Sequence, residues 1–303
     1  MKDVLSLHHM PAEEIAAVLD LALDVKRNPE RYENALRGRT LLMLFQKTST
    51  RTRLSFELGI QQLGGRAVVM DWDKSNFAIS PIRYEARYVS RHVDLIMARL
   101  LHHRDLVQLA EAADVPVING CCDRYHPTQA LADLLTIREQ VGDGPATVAY
   151  IGIHNNVANC LTAGVTKMGY NMILITPEVN KAARDEELLR AAMATGRLEI
   201  TTDPKAVRRA DFVYTDTWVD MEFFNNPAYA DEKARRMARM LPYQVNADLL
   251  GDSRPYIMHD MPIHPGMEIA EELIESERSI IYDQAENRLH AEKALMLRLL
   301  GAA

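Results

Sequence analysis

Short apolar runs alternate with longer amphipathic segments along almost the whole chain, and this pattern predicts the fold class. Each run has the length of a buried strand and is dominated by aliphatic residues. The runs lie at residues 41–45, 67–70, 95–98, 115–118, 147–151, 172–175, 198–201, 212–214 and 256–258. Strands that alternate with helical segments in this way form parallel sheets joined by helical crossovers. We therefore predict an α/β protein with two doubly wound parallel-sheet lobes and an active site in the cleft between them.

One helix is expected to begin directly after His126 and to end at a domain boundary. Its apolar positions recur at helical spacing and share one face: Ala130, Leu134, Ile137 and Val141. The segment Gly142-Asp143-Gly144-Pro145 then ends the helix, because glycine and proline favour turns. Further helices are predicted to open at Pro11, at Asp203-Pro204 and near Gln284. The last of these carries one apolar stripe: Leu289, Met296 and Leu300.

Composition argues against several classes of function. The sequence has 303 residues, of which 48% are hydrophobic and 25% charged, ordinary values for a globular protein of two domains. A formal net charge of −7 argues against general nucleic-acid binding, which needs a basic face. No apolar run approaches the roughly 20 residues that cross a bilayer, and the N-terminus lacks a signal-peptide core. We expect a cytoplasmic protein that binds neither nucleic acid nor membrane.

Signals for metals and nucleotide cofactors are weak. Three cysteines form neither a disulfide framework nor a metal-ligand spacing: Cys121, Cys122 and Cys160. The pairs His8-His9 and His102-His103 lack partners at such a spacing. The sequence contains neither a GxGxxG nor a GxxxxGK[ST] phosphate loop. We therefore predict no metal and no cofactor.

The strongest chemical signal is the run FQKTSTRTR at residues 45–53, directly after the first predicted strand. Leucines then recur at roughly helical intervals, at Leu54, Leu58 and Leu63, so the run lies in a strand-to-helix turn. The unpaired N–H groups and the dipole of a helix N-terminus attract anions. The turn adds hydroxyl and guanidinium donors: Ser49, Thr50, Arg51, Thr52 and Arg53. Helix capping explains one hydroxyl but not three interleaved with two arginines, so we predict a phosphate site.

Five segments, in the same order along the chain, resemble one protein family. Residues 45–57, with the core STRTR followed by SFE, resemble the carbamoyl-phosphate motif of the aspartate and ornithine carbamoyltransferases. DLIMAR at 94–99 and HPTQALAD at 126–133 resemble two further elements of that family. YTDTW at 214–218 and DQAENRLH at 283–290 resemble segments of its ornithine branch. The chain is therefore similar to the ornithine-like branch over nearly its whole length.

This resemblance implies a carbamoyltransferase, in which an amine attacks the carbonyl carbon of carbamoyl phosphate and phosphate leaves. It implies that four residues hold the phosphate: Ser49, Thr50, Arg51 and Thr52. It further implies that Arg99 and His126 address the phosphate and carbonyl oxygens, that Gln129 binds the carbamoyl NH2, and that Arg288 reaches the carbonyl end. The chemistry suits these roles, because arginine is a permanent donor, histidine can donate to an oxyanion, and glutamine offers an acceptor. For Lys47, ligand contact and a solvated or ion-paired lysine remain alternatives.

The acceptor side combines family positions with departures from them. The resemblance implies that Asn156 and Asp216 hold the groups of an amino acid. Asp220 stands where the ornithine branch has serine, and Asp260 stands where it has cysteine in a His-Cys-Leu-Pro loop. The candidate acceptor-binding residues are therefore Asn156, Asp216, Asp220, Met221, Asp260 and Met261, with Asp260 also a candidate catalytic proton acceptor. Outward-facing acids paired with Arg or Lys, strand-end capping by Asp216, and a turn at Asn155-Asn156 are the structural alternatives.

Ornithine is the leading hypothesis for the acceptor, with citrulline and phosphate as products. A diamine or another basic amino acid is the alternative, because two extra acids favour a more cationic amine. A non-catalytic protein that binds carbamoyl phosphate or a regulatory partner is the alternative from a different class.

The resemblance also implies how the chain is divided and assembled. Residues 1–141 and 284–303 would form the carbamoyl-phosphate-binding domain, and residues 142–283 the acceptor-binding domain. The subunits would form a homotrimer or a multiple of it. The loop 71–81 would reach a neighbouring subunit's site, where four of its residues would define specificity: Trp72, Lys74, Asn76 and Phe77. Core packing is the alternative for Trp72.

Overall fold

The computed structural model describes residues 2–219, 224 and 226–302, and these ranges contain two parallel β-sheets. The strands are β1 (Thr40–Phe45), β2 (Arg66–Asp71), β3 (Leu95–Arg99), β4 (Val117–Cys121), β5 (Thr147–His154), β6 (Asn171–Val179), β7 (Leu198–Thr201), β8 (Phe212–Thr215) and β9 (Tyr256–His259). The first sheet has the order β2-β1-β3-β4 and the second the order β7-β6-β5-β8-β9, with every pairing parallel. The predicted fold class is confirmed.

Helices connect these strands. Within the described residues they are α1 (Ala12–Arg27), α2 (Thr50–Gln62), α3 (Ile82–Val89), α4 (His103–Ala112), α5 (Pro127–Val141), α6 (Asn156–Lys167), α7 (Glu186–Ala194), α8 (Ala230–Met240), α9 (Ala247–Leu250), α10 (Glu271–Ile274) and α11 (Ile281–Leu299). None of them is long and apolar enough to cross a membrane.

A continuous hydrophobic core links the two lobes. All six residues of β1 are buried, as expected for an inner strand of a parallel sheet covered on both faces. Helix α5 is buried from Pro127 to Ile137 and contacts both α6 and α11. One cluster of buried apolar residues includes side chains from α1, α2, α5, α6 and α11. Because this core is shared, it fixes the distance between the groups that the two lobes present to the cleft.

Helix α11 ends the chain but packs against α1, α2 and α5 of the first lobe. It approaches α2 closely at Gly59, where an added Cβ would lie 3.2 Å from the Met296 side chain. This close approach brings Arg288 of α11 beside the N-terminal turn of α2, where its guanidinium lies 3.0 Å from the Thr52 hydroxyl.

The predicted strands and helices all correspond to elements of the structure, but one local expectation is wrong. Strand β4 begins at Val117 rather than at residue 115, because Pro116 has no N–H to donate to the sheet. The helix start at Asp203-Pro204 is confirmed: the Asp203 carboxylate accepts from the Lys205 N–H, and Pro204–Arg209 forms a 3-10 helix.

The leucines whose spacing predicted α2 do not all lie on its buried face. Leu54 and Leu58 are exposed, with 54% and 44% of their surface accessible. The buried face instead carries Phe56, Gly59 and Ile60, which pack toward the core. Helical spacing identified the element correctly but not the side that faces inward.

The loop 71–81 contains two buried aromatic residues. Trp72 and Phe77 are buried in the core beneath it, with ring centroids 5.3 Å apart. Lys74 and Asn76 are exposed. Core packing therefore accounts for Trp72 within one chain, and of the four residues only Lys74, paired with Asp71 over 3.3 Å, and Asn76 lie on the surface.

Candidate active site

A polar cleft lies where the carboxyl ends of strands from both sheets meet. In open α/β sheets this edge is the usual place for ligands. The first sheet contributes the turn after β1, the last residue of β3 and the segment after β4. The second sheet contributes the segments after β5, β8 and β9. The cleft has an empty volume of about 580 Å³ and is lined by Lys47, Ser49, Arg51, Arg99, Cys121, His126, Asn155, Asn156, Val157, Asp216, Thr217, Asp260, Met261, Pro262 and Arg288.

Most of the predicted site residues meet in this cleft. Those that line it are Ser49, Arg51, Arg99, His126, Asn156, Asp216, Asp260, Met261 and Arg288. Thr52 and Gln129 are fully buried behind it, and Thr50 faces a neighbouring cleft. Asp220 and Met221 lie outside the described residues.

Helix α2 begins in the predicted strand-to-helix turn. Ser49 is its N-cap, and the Ser49 hydroxyl accepts a hydrogen bond of 3.2 Å from the Thr52 N–H. The cap and the predicted anion site therefore fall in the same turn, which also carries Arg51 at the cleft. The other N–H groups of this first turn and the helix dipole favour negative charge at the same place.

Three guanidinium groups converge on the cleft from different elements. Arg51 comes from α2, Arg99 from the end of β3 and Arg288 from α11. Burial lowers the pKa of Arg51, Asp260 opposes this shift, and the positive charges of Arg288 and Arg99 add to it. The Nε atoms of Arg99 and Arg288 are buried and make no hydrogen bond within the described part of the chain. Unsatisfied cationic donors of this kind require an anion.

Arg288 is anchored by contacts on its far side. Its Nη1 donates to Gln129 Oε1 over 2.8 Å, and its Nη2 donates to Thr52 Oγ1 over 3.0 Å and to Glu292 Oε1 over 3.1 Å. Gln129 in turn donates from Nε2 to Asp133 Oδ1 over 2.9 Å. Thr52 and Gln129 therefore orient Arg288 in this structure.

His126 is neutral in this setting. It is 4% exposed, and its pKa lies well below the usual value because burial, Arg288 and Arg99 all disfavour a further positive charge. The Thr128 hydroxyl lies 3.4 Å from His126 Nδ1. A neutral ring supplies one N–H donor without competing for the anion, which suits a developing oxyanion.

Two acids oppose the arginines across the cleft. Asp216 follows β8 and is buried, and Asp260 follows β9 and is partly buried. Burial and the neighbouring Asp260 raise the pKa of Asp216 well above its usual range, and burial raises the pKa of Asp260 to about 6. These carboxyl groups therefore turn inward, and the alternative of outward-facing acid paired with a surface cation does not apply to Asp260.

The two asparagines after β5 have different roles. Asn155 is the N-cap of α6, accepting from the N–H groups of Val157 and Ala158, and its amide donates to Asp216 Oδ2 over 2.5 Å. Asn156 lines the cleft and donates to the Cys122 carbonyl oxygen over 2.7 Å. The turn role thus belongs to Asn155, whereas Asn156 is the one whose amide lies at the cleft wall.

The loop after β9 is held by a buried acid that sequence reasoning missed. Glu268 accepts from His259 Nε2 over 3.0 Å and from the His264 N–H over 2.7 Å. His259 Nδ1 then accepts from the Met261 N–H over 2.8 Å. Met261 has a φ of 60°, a left-handed conformation that non-glycine residues rarely adopt, so this bond stabilises an unfavourable turn. In the sequence, Glu268 stands between the apolar residues Met267 and Ile269, and this position was the signal that could have indicated a buried acid.

Asp216, His259 and Asp260 offer oxygen and nitrogen atoms within 4.8 Å of one another, a spacing compatible with a metal ion. Both nitrogens of His259 are already engaged, however, one by the Met261 N–H and the other by Glu268. Because a metal needs the lone pair that Nδ1 shares with this N–H, the cluster lacks its nitrogen ligand. The described residues thus give no complete metal-binding set at this place.

The chain matches two models of one family over most of its length. Residues 2–139 match the aspartate/ornithine carbamoyltransferase, carbamoyl-P binding domain, and residues 145–299 match the aspartate/ornithine carbamoyltransferase, Asp/Orn binding domain. Among curated relatives, an ornithine carbamoyltransferase of Listeria monocytogenes is 41% identical over 312 residues, which cover 99% of this chain and 96% of the relative. The anabolic ornithine carbamoyltransferase of Pyrococcus furiosus is 42% identical, with the same coverage of both chains.

Solved structures give the same result. Ornithine carbamoyltransferase from Pyrococcus furiosus superimposes with a TM-score of 0.91 at 39% identity, covering 99% of this chain and 97% of the other. The enzyme of that name from Thermus thermophilus gives a TM-score of 0.85 at 38% identity, covering 99% of both chains. The resemblance found in the five motifs is confirmed, and this chain belongs to the aspartate/ornithine carbamoyltransferase family.

Proposed function

We propose that this protein transfers the carbamoyl group of carbamoyl phosphate to ornithine and releases citrulline and phosphate. The observation that carries the proposal is the convergence of Arg51, Arg99 and Arg288 on one side of the cleft, opposite Asp216 and Asp260. The cations suit a dianionic donor, and the acids suit a cationic amine. A degenerate, non-catalytic relative has no need for both sets in one cleft.

On the donor side, the turn of α2 binds the phosphate through Ser49, Thr50, Arg51 and Thr52, together with Arg99. His126 and Arg288 act as catalytic residues that donate to the carbonyl oxygen, on which negative charge develops as the amine attacks. Oriented donors of this type typically contribute about 10²–10³ in rate each. Gln129 supports the carbamoyl end through its hydrogen bond with Arg288. Its Oε1 has a second lone pair that can accept from the carbamoyl NH2 while the bond from Arg288 is kept.

On the acceptor side, the amine approaches Asp216 and Asp260, and Asn156 binds the amino-acid end. Met261, with Asp220 and Met221 of the segment 219–221, completes the acceptor set. An alkyl amine has a pKa of about 10, so forming the neutral amine at pH 7 costs about 4 kcal/mol. Positioning the two reactants recovers on the order of 7–11 kcal/mol, so orientation and proton removal suffice without a covalent nucleophile.

A second acceptor class is favoured by one specific observation. The cleft presents two neighbouring carboxyl groups, at Asp216 and Asp260, where the ornithine branch would present one acid and one cysteine. Added negative charge favours acceptors with more positive charge, such as a diamine or a longer basic amino acid. The same charge disfavours aspartate, which is an anion.

We further propose the division of the chain into residues 1–141 with 284–303 as the donor-binding domain and residues 142–283 as the acceptor-binding domain. The packing of α11 against α1, α2 and α5 supports it. A cytoplasmic location is supported by three buried free thiols, which reducing compartments preserve.

We propose a homotrimer, or a multiple of it, with active sites at the subunit interfaces. Four exposed apolar side chains of the first lobe support an interface: Leu54, Leu58, Val68 and Ile79. Leu54 and Lys74 also line a second cleft, and this cleft shares Lys47 and Ser49 with the active site. A neighbour's loop 71–81 inserted there would complete the site.

The test is an acceptor panel with purified protein and carbamoyl phosphate, in which mass spectrometry identifies the ureido product. Citrulline formed from ornithine with the highest kcat/KM supports the main proposal. A higher kcat/KM with a diamine or lysine supports the second acceptor class. Binding of carbamoyl phosphate without product from any amine would support a non-catalytic protein. Arg99→Met, which removes one donor-side cation, is the control and should abolish product from every acceptor.

A further inference from the structure

We propose that Asp216 and Asp260 act as one acid pair, which holds a single proton, binds the ammonium form of the acceptor and takes up the proton that this ammonium must lose. The inference rests on the proposed carbamoyl transfer and deepens it, because it states which form of the acceptor the site recognises. Its ligand class is a primary alkyl ammonium group.

The geometry of the pair supports a shared proton. The two carboxyl groups lie in the wall of the cleft with oxygen atoms within 4.8 Å of each other. Asp260 Oδ1 is buried and receives no N–H or O–H from the parts of the chain that the structure describes. Asp216 already accepts at both oxygens, from Asn155 Nδ2 over 2.5 Å and from the Thr217 N–H over 2.6 Å. A proton held between the carboxyl groups would give Asp260 Oδ1 the donor that the described residues do not supply.

The surrounding charges hold the pair at one negative charge. Asp260 faces Arg51 from α2 and Arg288 from α11, which favour its ionised form, and Asp133 from α5, which opposes it. Asp216 faces Asp260 and His259 and lies beside Tyr214. Two neighbouring carboxyl groups cannot both ionise readily. The pair therefore loses one of its two protons at lower pH and retains the other to high pH. The pKa of Asp260 at about 6 and the strongly raised pKa of Asp216 agree with this order.

Each proton that the reaction releases then has an acceptor within the site. The acceptor arrives as R–NH3⁺ and gives one proton to the Asp260 carboxylate, which leaves a neutral pair and a neutral amine. The amine nitrogen forms a bond to the carbonyl carbon of carbamoyl phosphate, and the bond from that carbon to the phosphate oxygen breaks. The bonding electrons leave on that oxygen, which receives the second proton of the attacking nitrogen as HPO4²⁻. The pair returns its proton to solvent after the ureido product leaves.

The dependence of kcat/KM on pH distinguishes this site from one that admits only the neutral amine. If the protein recognises the ammonium form, kcat/KM for ornithine rises through about pH 6 and then stays level to about pH 9, because the ammonium remains the dominant species. If the protein recognises only the neutral amine, kcat/KM continues to rise about tenfold per pH unit up to the pKa of the amine.

The experiment compares wild type with Asp260→Asn and Asp260→Cys between pH 5.5 and 9.5. We expect a plateau for wild type. For Asp260→Asn we expect a loss of at least about 30-fold at pH 7 and a steady rise with pH. Asp260→Cys should rise until about pH 8.5, where its thiol ionises, which restores a base and shows that the fold is intact. Calorimetry with carbamoyl phosphate checks the donor site of each variant.

Two outcomes would overturn the acid pair. One is a wild-type profile that climbs about tenfold per unit from pH 7 to 9, and the other is an identical profile for wild type and both variants. Absence of any ureido product from wild type would reject the proposed function instead. The pair would then be tested by calorimetry with ornithine and 1,4-diaminobutane, and equal affinities of wild type and Asp260→Asn would overturn it.

Discussion

Arg51 Nη2 donates a hydrogen bond of 2.5 Å to the carbonyl oxygen of Met261. This contact joins the proposed phosphate-binding turn of the first lobe to the proposed acceptor loop of the second. Met261 has a left-handed backbone, and its N–H donates to His259 Nδ1. The two halves of the proposed reaction are therefore connected by one guanidinium group, which has further N–H donors for an anion.

Arg51→Lys should separate these functions of the guanidinium. Lysine keeps the charge but loses the planar fork, so it cannot serve a phosphate oxygen and the Met261 carbonyl in the same geometry. We expect kcat/KM for carbamoyl phosphate to fall about 10²–10³-fold, the scale of one lost oriented donor. Steady-state kinetics with each substrate varied in turn measures the effect. The neighbouring Arg53→Lys is the control, because Arg53 is exposed and pairs with Glu57. Equal losses in both variants would contradict the specific role of Arg51.

Glu268 is expected to act as a positioning residue through His259. Glu268→Ala removes the acceptor of the His259 Nε2–H and of the His264 N–H, so the loop that carries Asp260 loses its anchor. We expect about a 10–100-fold rise in KM for the acceptor with a smaller change for carbamoyl phosphate, by analogy with lost supporting hydrogen bonds in other sites. Glu268→Gln keeps an oxygen for both donors and should restore most of the affinity. If the two variants behave alike, or only thermal stability changes, the positioning role is wrong.

The sequence predicted the elements well, and it placed the candidate donor-side residues in the turn where the structure has them, because both depend on local signals. The turn after β1 needed only a strand, a helix start and its side chains, and residues 45–53 supplied all three. The acceptor side was less accessible. That Asp216 and Asp260 contact each other depends on the adjacency of β8 and β9, which no local pattern states.

Long-range hydrogen bonds were also beyond sequence reasoning. Asp133 and Gln284 both lie within motifs that suggested the family, yet their mutual bond of 2.7 Å joins residues 151 positions apart. Gln284 also accepts from the His259 N–H over 2.9 Å. The inward face of α2 could not be predicted for a related reason. Leu54 and Leu58 look like core residues by composition, and one chain alone gives no partner to cover them.

Charged substitutions of the exposed leucines of α2 should disrupt the proposed trimer. Leu58→Glu and Leu54→Glu place a charge on the surface that we propose for the subunit interface, where an unpaired charge is costly to bury. We expect sedimentation velocity to show a loss of trimers in favour of smaller species, with a parallel fall in specific activity. Met193→Glu on α7 is the matched control, because Met193 is similarly exposed on the second lobe. If the leucine variants sediment like the methionine variant, this face is not the interface.

The buried carboxyl group of Asp133 should make the free energy of unfolding depend on pH. Its Oδ1 accepts from Gln129 and Gln284, its Oδ2 has no donor among the described residues, and burial raises its pKa to about 7 from the usual 3.8. The folded state thus retains a proton that the unfolded state loses, so the stabilisation is complete below pH 4 and is lost as pH rises through 7. Asparagine is neutral throughout and keeps an oxygen for both donors.

Asp133→Asn should therefore gain stability relative to wild type as pH increases. The difference in the free energy of unfolding should shift in favour of the variant by about 2–3 kcal/mol between pH 5 and pH 8.5, since each pH unit between the two pKa values is equivalent to about 1.4 kcal/mol. Urea unfolding at several pH values measures it. Asp252→Asn, at an exposed position, controls for the loss of one negative charge. A difference between Asp133→Asn and wild type that does not change with pH would show that Asp133 is ionised in the folded protein at neutral pH.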